Sequence, residues 1–507
     1  MAATLPNIWL PALVERFASF LHPNEVICTL RYVNKATAAQ FRGRPEFASV
    51  RLSQPVPPHA FAARWAAPGA MRDLTLEQRK KLLCLTATSG VMSNLEVALE
   101  AVGVAVDTEL QSDLSRSACK AGHSSMACHL LIPVLIAEPN QSCIPSLEEA
   151  ATAGHWAVWE ALQRDSPIYG AHLWSPDYVV AALSGGHLEA AEYLLERTLA
   201  IWPMSDRIWG RFLEAAAGGC GLPTLESLHQ RCGSVPLTMV VENERTIGSD
   251  LLSSAAGSRT ADWQAKVEWA ESQLPPGFTR DSEACAAAAA RPDAELRLAW
   301  LLARGYPADG KAADAAIHAH NVAALELLLA RGLRPTYFAI AAAACYGRLG
   351  MLKEVRRHGG RLNADVVAWG AVDGGQVPVL EWAVEELGAQ LQDVSKLLFS
   401  DVSRCSLGTL KRLHQQGWPC EARKAALGAA KLGDMATLRW AVEELGASPQ
   451  DASLMDAAAR EGRVEVMVWL RERGCPWGKD MFDCALHSGC GAALEWLVEQ
   501  GCPMPVS

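Results

Sequence analysis

The sequence predicts an all-α protein in which short helix pairs stack into a solenoid behind a small N-terminal helical hairpin. Three observations favour this fold class. A block of 27 to 33 residues recurs between residues 90 and 489. The blocks are rich in alanine while aromatic residues make up 7% of the chain, which suits closely packed helices. At 507 residues the chain is also too long for one globular core, so a repeat array or several domains are expected.

The first segment of the chain differs from the rest. Apolar residues recur at helical spacing from Leu10 to Leu21, so a helix is predicted to start at Pro11. Pro23 ends this pattern, and Asn24 is the expected N-cap of a second helix. The residues of that helix expected to face inward are Val26, Ile27, Leu30, Val33 and Ala36. The predicted boundaries are a hairpin over 1–50, a proline-rich linker over 51–78 and a repeat array over 79–507.

The repeat is clearest in the two last blocks, residues 457–477 and 484–504. Their alignment places Gly462 on Gly489 and Trp469 on Trp496. We call the aligned glycine the turn position, and it recurs upstream with a blurred register between residues 219 and 293. The turn positions are Gly90, Gly122, Gly154, Gly186, Gly219, Asp293, His320, Gly347, Gly375, Cys405, Gly433, Gly462 and Gly489.

Each block reads as a helix pair that needs neighbours. A first helix such as LMDAAAREG presents alanines, and glycine at the turn position supplies the positive φ at which that helix stops. A second helix such as VEVMVWLRER carries apolar residues at helical spacing and ends at Gly474, with Pro476 beyond it. Because one pair cannot bury its apolar face alone, the pairs are expected to stack.

Two stretches resemble a known repeat family. AGHWAVWEAL (153–162) and GGHLEAAEYLLER (185–197) are similar to the A-x-x-G-H-L-E-x-x-x-x-L-L stretch of ankyrin repeats. The Thr-Pro-Leu-His tetrapeptide that opens such repeats is missing, and the later blocks are short. The resemblance implies a divergent array of the kind found in amoebal, algal and giant-virus proteins, with trimmed β-turn fingers.

The N-terminal hairpin resembles an F-box. Leu-Pro at 10–11, Phe20-Leu21, Val33 and Lys35 match its pattern over about 30 residues, whereas Ala12, Asn34 and Thr37 depart from it. The resemblance implies that the hairpin docks an Skp-type adaptor of a cullin–RING ubiquitin ligase while the array holds a protein target. The adaptor surface would consist of Leu10, Pro11, Leu13, Phe17, Leu21, Pro23 and Val26. The alternative is a structural cap on the first repeat, since a solenoid needs a terminal unit with a polar outer face.

Other chemistry finds little support in the sequence. The chain is 50% hydrophobic and 20% charged with a net charge of −10, and nucleic-acid binders usually carry a basic field, so no nucleic acid is expected as a partner. No run of apolar residues suits a membrane span, so no membrane partner is expected. Nucleophile, metalloprotease and phosphate-loop motifs are missing. We therefore predict a protein that is no enzyme and takes no cofactor.

The cysteines and tryptophans are predicted to be structural. The 15 cysteines are scattered singly and no signal peptide is recognised, which indicates free thiols in the cytoplasm or nucleus. Cys484, His487 and Cys490 are spaced three apart but lack a close cysteine pair, which favours buried thiols over a metal. Tryptophan recurs seven residues after the turn position, which favours a core between blocks over a binding platform. These residues are Trp300, Trp382, Trp440, Trp469 and Trp496.

Overall fold

The computed structural model describes residues 9–103, 106–137, 144–165, 171–233, 235–242, 245–389, 407–415 and 421–503. It divides into two compact units, Met1–Pro203 and Met204–Ser507. Both units consist of α-helices that pack in consecutive pairs, so the predicted all-α helical repeat class is confirmed.

The first unit begins with short helices and continues with longer antiparallel pairs. Its α-helices are α1 (Pro11–Ala18), α2 (Pro23–Cys28), α3 (Lys35–Gln40), α4 (Pro58–Trp65), α5 (Leu76–Ser89), α6 (Met92–Ala101), α7 (Thr108–Lys120), α8 (Ser124–Ala137), α9 (Ile144–Thr152), α10 (Ala157–Asp165), α11 (Pro176–Gly185) and α12 (Leu188–Ile201). Short 3-10 helices span Leu30–Tyr32, Pro45–Phe47 and Ala171–Trp174.

The second unit repeats the pair along its described length. Its α-helices are α13 (Asp206–Gly219), α14 (Leu222–Cys232), α15 (Ile247–Ala256), α16 (Trp263–Gln273), α17 (Glu283–Ala289), α18 (Ala294–Ala303), α19 (Gly310–His318), α20 (Val322–Ala330), α21 (Tyr337–Cys345), α22 (Leu349–Arg357), α23 (Ala364–Asp373), α24 (Val377–Glu385), α25 (Leu407–Gln415), α26 (Ala422–Leu432), α27 (Met435–Glu443), α28 (Ala452–Arg460), α29 (Val464–Glu472), α30 (Met481–Ser488) and α31 (Gly491–Glu499). A two-stranded antiparallel ribbon, β1 (Val240–Glu242) with β2 (Arg245–Thr246), lies between α14 and α15.

The first helices of successive pairs pack side by side through small residues. In α19 the alanines Ala312, Ala313 and Ala316 are fully buried, and α19 contacts both α17 and α21. The second helices supply the larger side chains, such as Leu325 and Leu328 of α20. Small residues let helix backbones approach closely, so alanine on one helix and leucine on the other fill the same layer.

The turn position adopts the predicted left-handed conformation at most sites. Its φ is positive at Gly90, Gly122, Gly154, Gly186, Gly347, Gly375, Gly433, Gly462 and Gly489. His320 occupies it with φ 58°, as the only non-glycine residue with positive φ in the described ranges. The prediction is wrong at Gly219, the last residue of α13, and at Asp293, whose φ is −97°. Cys405 lies outside the described residues.

The turn glycines also leave room for the next pair. A Cβ atom on Gly122 would overlap the ring of His155, and one on Gly154 would overlap His187. His123 closes the same contact on Gly90, and its Nε2 lies 3.0 Å from the carbonyl oxygen of Thr88 near the end of α5. Since that oxygen only accepts, Nε2 donates, and the histidine satisfies a carbonyl that the helix end leaves open.

The tryptophans predicted as core are buried in three of five cases. Trp382, Trp440 and Trp469 are 3–5% exposed, while Trp300 and Trp496 are half-buried. Trp300 packs edge-to-face on Trp263 with ring centroids 5.3 Å apart, and Trp496 packs on Trp477 at 5.9 Å. These five tryptophans therefore contribute to the packing between helix pairs.

Candidate functional site

The hairpin at the N-terminus encloses a small core of its own. Val14 and Ala18 of α1 meet Val26 of α2, Leu30 and the aromatic pair Phe41 and Phe47. The two rings pack edge-to-face with centroids 5.1 Å apart. These residues occupy one side of α1, so the core is complete without the other side of that helix.

The second predicted helix is broken into three parts. α2 ends at Cys28, a 3-10 turn follows, and α3 starts at Lys35. Asn24 is not the N-cap: His22 takes that position, and its Nδ1 accepts from the Asn24 backbone N–H at 3.2 Å. Pro23 at the first helical position explains the shift, because its fixed φ suits the helix start. Val33 and Ala36 are exposed, contrary to the expectation that they face inward.

The Asn24 side chain instead forms long-range hydrogen bonds that the sequence did not indicate. It is fully buried, and its Nδ2 donates to the carbonyl oxygens of Arg51 at 2.8 Å, Gln54 at 3.3 Å and Pro55 at 3.0 Å. Its Oδ1 accepts from the Arg51 backbone N–H at 2.9 Å. The segment after the hairpin is thereby tied to α2 by hydrogen bonds between the Asn24 side chain and the backbone of residues 51–55.

A surface ion network holds α1 against the end of the hairpin. Arg44 Nη1 lies 2.7 Å from Glu15 Oε1, and Arg44 also pairs with Glu46 at 2.9 Å. Gln40 donates to Glu15 Oε2 at 3.0 Å. The hydrogen bond from Arg44 lowers the pKa of Glu15. The orientation of α1 is therefore set by polar contacts on one edge and by the small core beneath it.

The opposite side of α1 is apolar and exposed. Leu10 is 51% exposed, Leu13 37%, Phe17 41% and Leu21 36%. Leu13 and Phe17 are four residues apart in α1 and share one face of it, whereas Leu10 is the N-cap of this helix and Leu21 follows its end. The four exposed side chains therefore form an apolar surface along α1 and at its two ends. We call these four residues the outer stripe.

The remaining residues of the expected adaptor surface differ in their exposure to solvent. Pro11 is exposed and Pro23 is half-buried. Val26 is fully buried in the hairpin core, so its inclusion in a docking surface was wrong. Three exposed aromatic residues were not in the expected set: Phe20 at 79%, Tyr32 at 82% and Trp9 at 37%. The signal was present in the sequence, since a hairpin of this size holds more large apolar residues than it can bury.

The segment predicted as a linker contains a helix that covers the first pair of the array. α4 packs against α6, with Phe61 and Val56 2% and 5% exposed. Asn94 of α6 is buried and donates to the Val56 carbonyl oxygen at 2.8 Å. The edge of the first pair is therefore covered by residues of this segment.

The residues considered as a metal site, Cys484, His487 and Cys490, make contacts of a structural kind or are buried. Cys484 Sγ lies 3.6 Å from Arg460 Nη2, and His487 Nδ1 lies 2.7 Å from the Asp483 carbonyl oxygen in its own helix. Cys490 is fully buried. Within the described ranges no three His, Cys, Asp or Glu side chains are grouped closely enough to bind a metal ion.

Most of the cysteines that the structure describes are buried, as predicted, and form no disulfide with one another. The buried ones are Cys119, Cys128, Cys220, Cys285, Cys475, Cys484, Cys490 and Cys502, while Cys28, Cys84, Cys232 and Cys345 are half-buried. Burial raises the pKa of Cys285 to about 12 and that of Cys128 to about 11. A thiol with so high a pKa holds little thiolate at neutral pH and is a poor nucleophile.

No protein-family model and no curated protein matches this chain. Among solved structures it is similar to the pentatricopeptide repeat protein PPR10 from maize, at 13% identity and a TM-score of 0.28, covering 99% of this chain and 87% of the other. A second structure of PPR10, in complex with an 18-nt psaJ RNA element, matches at 12% identity and a TM-score of 0.30 over 97% of this chain and 77% of the other.

These similarities correct one expectation. The negative net charge led us to exclude nucleic acid as a partner, and that exclusion is withdrawn because helical repeat proteins similar to this chain include one solved with RNA. At these TM-scores the similarity decides nothing about what this chain itself binds. No helix in the described residues is long and apolar enough to span a membrane.

Proposed function

We propose that the chain is a non-catalytic interaction adaptor whose hairpin docks an Skp-type subunit of a ubiquitin ligase while an ankyrin-type array holds a protein target. The observation that carries the proposal is the outer stripe. Four large apolar side chains, two in α1 and one at each of its ends, stay exposed although the hairpin has a closed core of its own. Monomeric surfaces rarely keep such a stripe unless it binds something.

The cap hypothesis is less well supported. A cap would turn its apolar face onto the first pair of the array, and α4 already packs there through Phe61. The residues of the outer stripe are not part of the hairpin core, whose buried side chains lie on the other side of α1.

The ankyrin assignment rests on local geometry. Gly154 and Gly186 are left-handed and are each followed by a histidine, as in the G-H dipeptide of that family. His155 and His187 then lie against the turn glycine of the preceding pair. We infer that the helix pairs are ankyrin-type units without the projecting fingers.

The experiment is a pull-down of purified Skp-type adaptor by the full chain and by Leu21→Asp. Burying a carboxylate at an apolar interface costs several kcal/mol, so we expect the variant to lose at least about tenfold in adaptor binding. Leu188→Asp is the matched control, because Leu188 is an exposed apolar residue of a repeat helix, at 43%. If the folded wild-type chain retains no adaptor, the ligase hypothesis fails and a scaffold without a ligase partner remains.

A further inference from the structure

A row of carboxylates follows the first helices of the second unit. It begins on α13 and α15, continues at the start of α17 and ends on α19, and each of these helices contacts the next. Its members, which we call the acidic row, are Glu214, Asp250, Asp281, Glu283, Asp309 and Asp314.

Fewer cations than carboxylates accompany this row. Arg245 pairs with Asp250, and Lys311 Nζ lies 2.6 Å from Glu283 Oε1. Burial raises the pKa of Glu214, and the charge of Asp250 adds to the shift, whereas Arg245 and Arg211 oppose it. Burial likewise raises the pKa of Asp281. In this part of the described chain two ion pairs serve six carboxylates, which leaves the row with an excess of negative charge.

An aromatic pair lies beside the end of the row. Tyr337 and Phe338 open α21, are 58% and 68% exposed, and have ring centroids 3.9 Å apart. Thr336, directly before them, donates its N–H to Asp314 Oδ1 at 2.7 Å and its hydroxyl to Asp314 Oδ2 at 2.8 Å. These bonds fix the aromatic pair next to the acidic row.

The rest of that face of α21 is nearly flat. Ala341 and Ala342, one turn further along the helix, are half-buried and small. A partner chain can therefore approach the helix between the two rings and the carboxylates of α19. Aromatic faces attract ammonium and guanidinium groups, and an excess of carboxylates attracts the same groups over a longer range.

We propose that the acidic row with Tyr337 and Phe338 binds a segment of the target protein in which lysine or arginine alternates with apolar side chains. The inference rests on the proposed role of the array in holding a target. It does not involve the hairpin, so it can fail while adaptor docking holds, and the reverse.

The test uses the full chain and fluorescein-labelled peptides in fluorescence polarisation. The probe repeats Lys-Leu-Ala four times, and two matched peptides replace lysine by glutamate or leucine by serine. We expect the lysine–leucine probe to bind, the glutamate peptide not to bind, and the lysine–serine peptide to bind about threefold to tenfold more weakly for want of apolar contact. Binding should also weaken as salt is raised.

Variants locate the binding. Asp281→Asn keeps the oxygen that accepts from the Glu283 backbone N–H while removing the charge, and Tyr337→Ala with Phe338→Ala removes the rings. Each should weaken the lysine–leucine probe about threefold to tenfold. Glu443→Gln and Tyr32→Ala, an exposed carboxylate and an exposed aromatic ring elsewhere, should leave it unchanged.

Several results would overturn the inference. These are no binding of the lysine–leucine probe at millimolar concentration, equal binding of the glutamate peptide, or unchanged binding in Asp281→Asn and in the aromatic double variant. An 18-nt oligouridine probe whose binding is lost in the aromatic double variant would assign this face to nucleic acid instead. Loss of adaptor binding in the same variants would show that they disturb the whole chain.

Discussion

Lys266 is the most informative single position for the stability of the array. Its side chain is fully buried in α16, and its Nζ donates to the Ala217 carbonyl oxygen at 2.8 Å, to the Cys220 carbonyl oxygen and to Ser258 Oγ at 2.7 Å. Ala217 and Cys220 lie at the C-terminal end of α13, where carbonyls have no partner within the helix. Replacing the lysine by methionine keeps the volume and removes these bonds.

The magnitude follows from what the change leaves behind. A buried carbonyl without a donor costs about 1–3 kcal/mol, which applies to Ala217, while the Cys220 oxygen keeps the Thr260 hydroxyl at 3.5 Å and loses less. Part of this cost is offset because methionine needs no desolvation of an ammonium group. We expect Lys266→Met to lower the free energy of unfolding by about 2 kcal/mol.

The pH dependence gives the same substitution a second readout. Burial lowers the pKa of Lys266 below that of a free lysine. The unfolded chain therefore binds more protons at this position than the folded chain between the two pKa values, and stability from this group rises with pH in that alkaline window. Lys266→Met removes that contribution, so its unfolding free energy should rise less with pH than that of the wild type.

The assay is equilibrium urea unfolding followed by far-UV circular dichroism, with hydrogen exchange of residues 206–219 as a local probe. Lys424→Met is the control, because Lys424 is 40% exposed and pairs with Glu421 at 3.2 Å on the surface. Such a pair contributes about 0–1 kcal/mol. If Lys266→Met were as stable as the control, the argument from unsatisfied helix-end carbonyls would be refuted.

Three further predictions follow from burial and turn geometry. Gly122→Ala should destabilise the first unit by more than about 1 kcal/mol, because an added Cβ meets the His155 ring at positive φ; urea unfolding against wild type checks it. Asn24→Leu should speed proteolysis after Arg51 by freeing the segment that Asn24 holds, and unchanged cleavage would contradict this. Cys285 should react with Ellman's reagent only on unfolding, since burial raises its pKa to about 12; reaction in the native chain would exclude this.

Much of the fold could be predicted because one turn recurs with a steric requirement. The left-handed conformation favours glycine, so Gly347, Gly433 and Gly462 mark the ends of first helices directly in the sequence. His320 was found only because its neighbours in the series fix the spacing. Alanine-rich first helices and Trp469-type core positions were predictable for the same reason, since packing repeats with the turn.

The candidate site was less predictable because it depends on which side of a helix is already covered. Helical spacing predicted that Leu13, Phe17 and Leu21 share a face, but α1 ends at Ala18, and spacing does not tell whether a face points to a core or to solvent. Val14 and Ala18 settle the matter in three dimensions, because they close the core on the other side. The task of Asn24 was hidden for a similar reason, since its partners at Arg51 and Pro55 are distant in sequence.

The blurred register between residues 219 and 293 has a chemical cause. In the regular pairs a polar residue after the turn position reaches a carbonyl at the end of the preceding first helix, as Asn321 reaches the Arg291 oxygen at 2.7 Å. At α13 and α15 this role passes to cations deeper in the second helix: Lys266 serves the end of α13.

Arg297 serves the end of α15 in the same way, with Nη1 2.7 Å from the Ala256 carbonyl oxygen and 2.9 Å from that of Ser258. A long cationic side chain satisfies these carbonyls from further away, so the turn no longer needs a left-handed glycine beside a small polar residue. At the ends of α13 and α15 a cation therefore makes the contact that a small polar residue makes elsewhere, and in this part of the chain Gly219 and Asp293 lack the left-handed geometry by which the repeat is recognised.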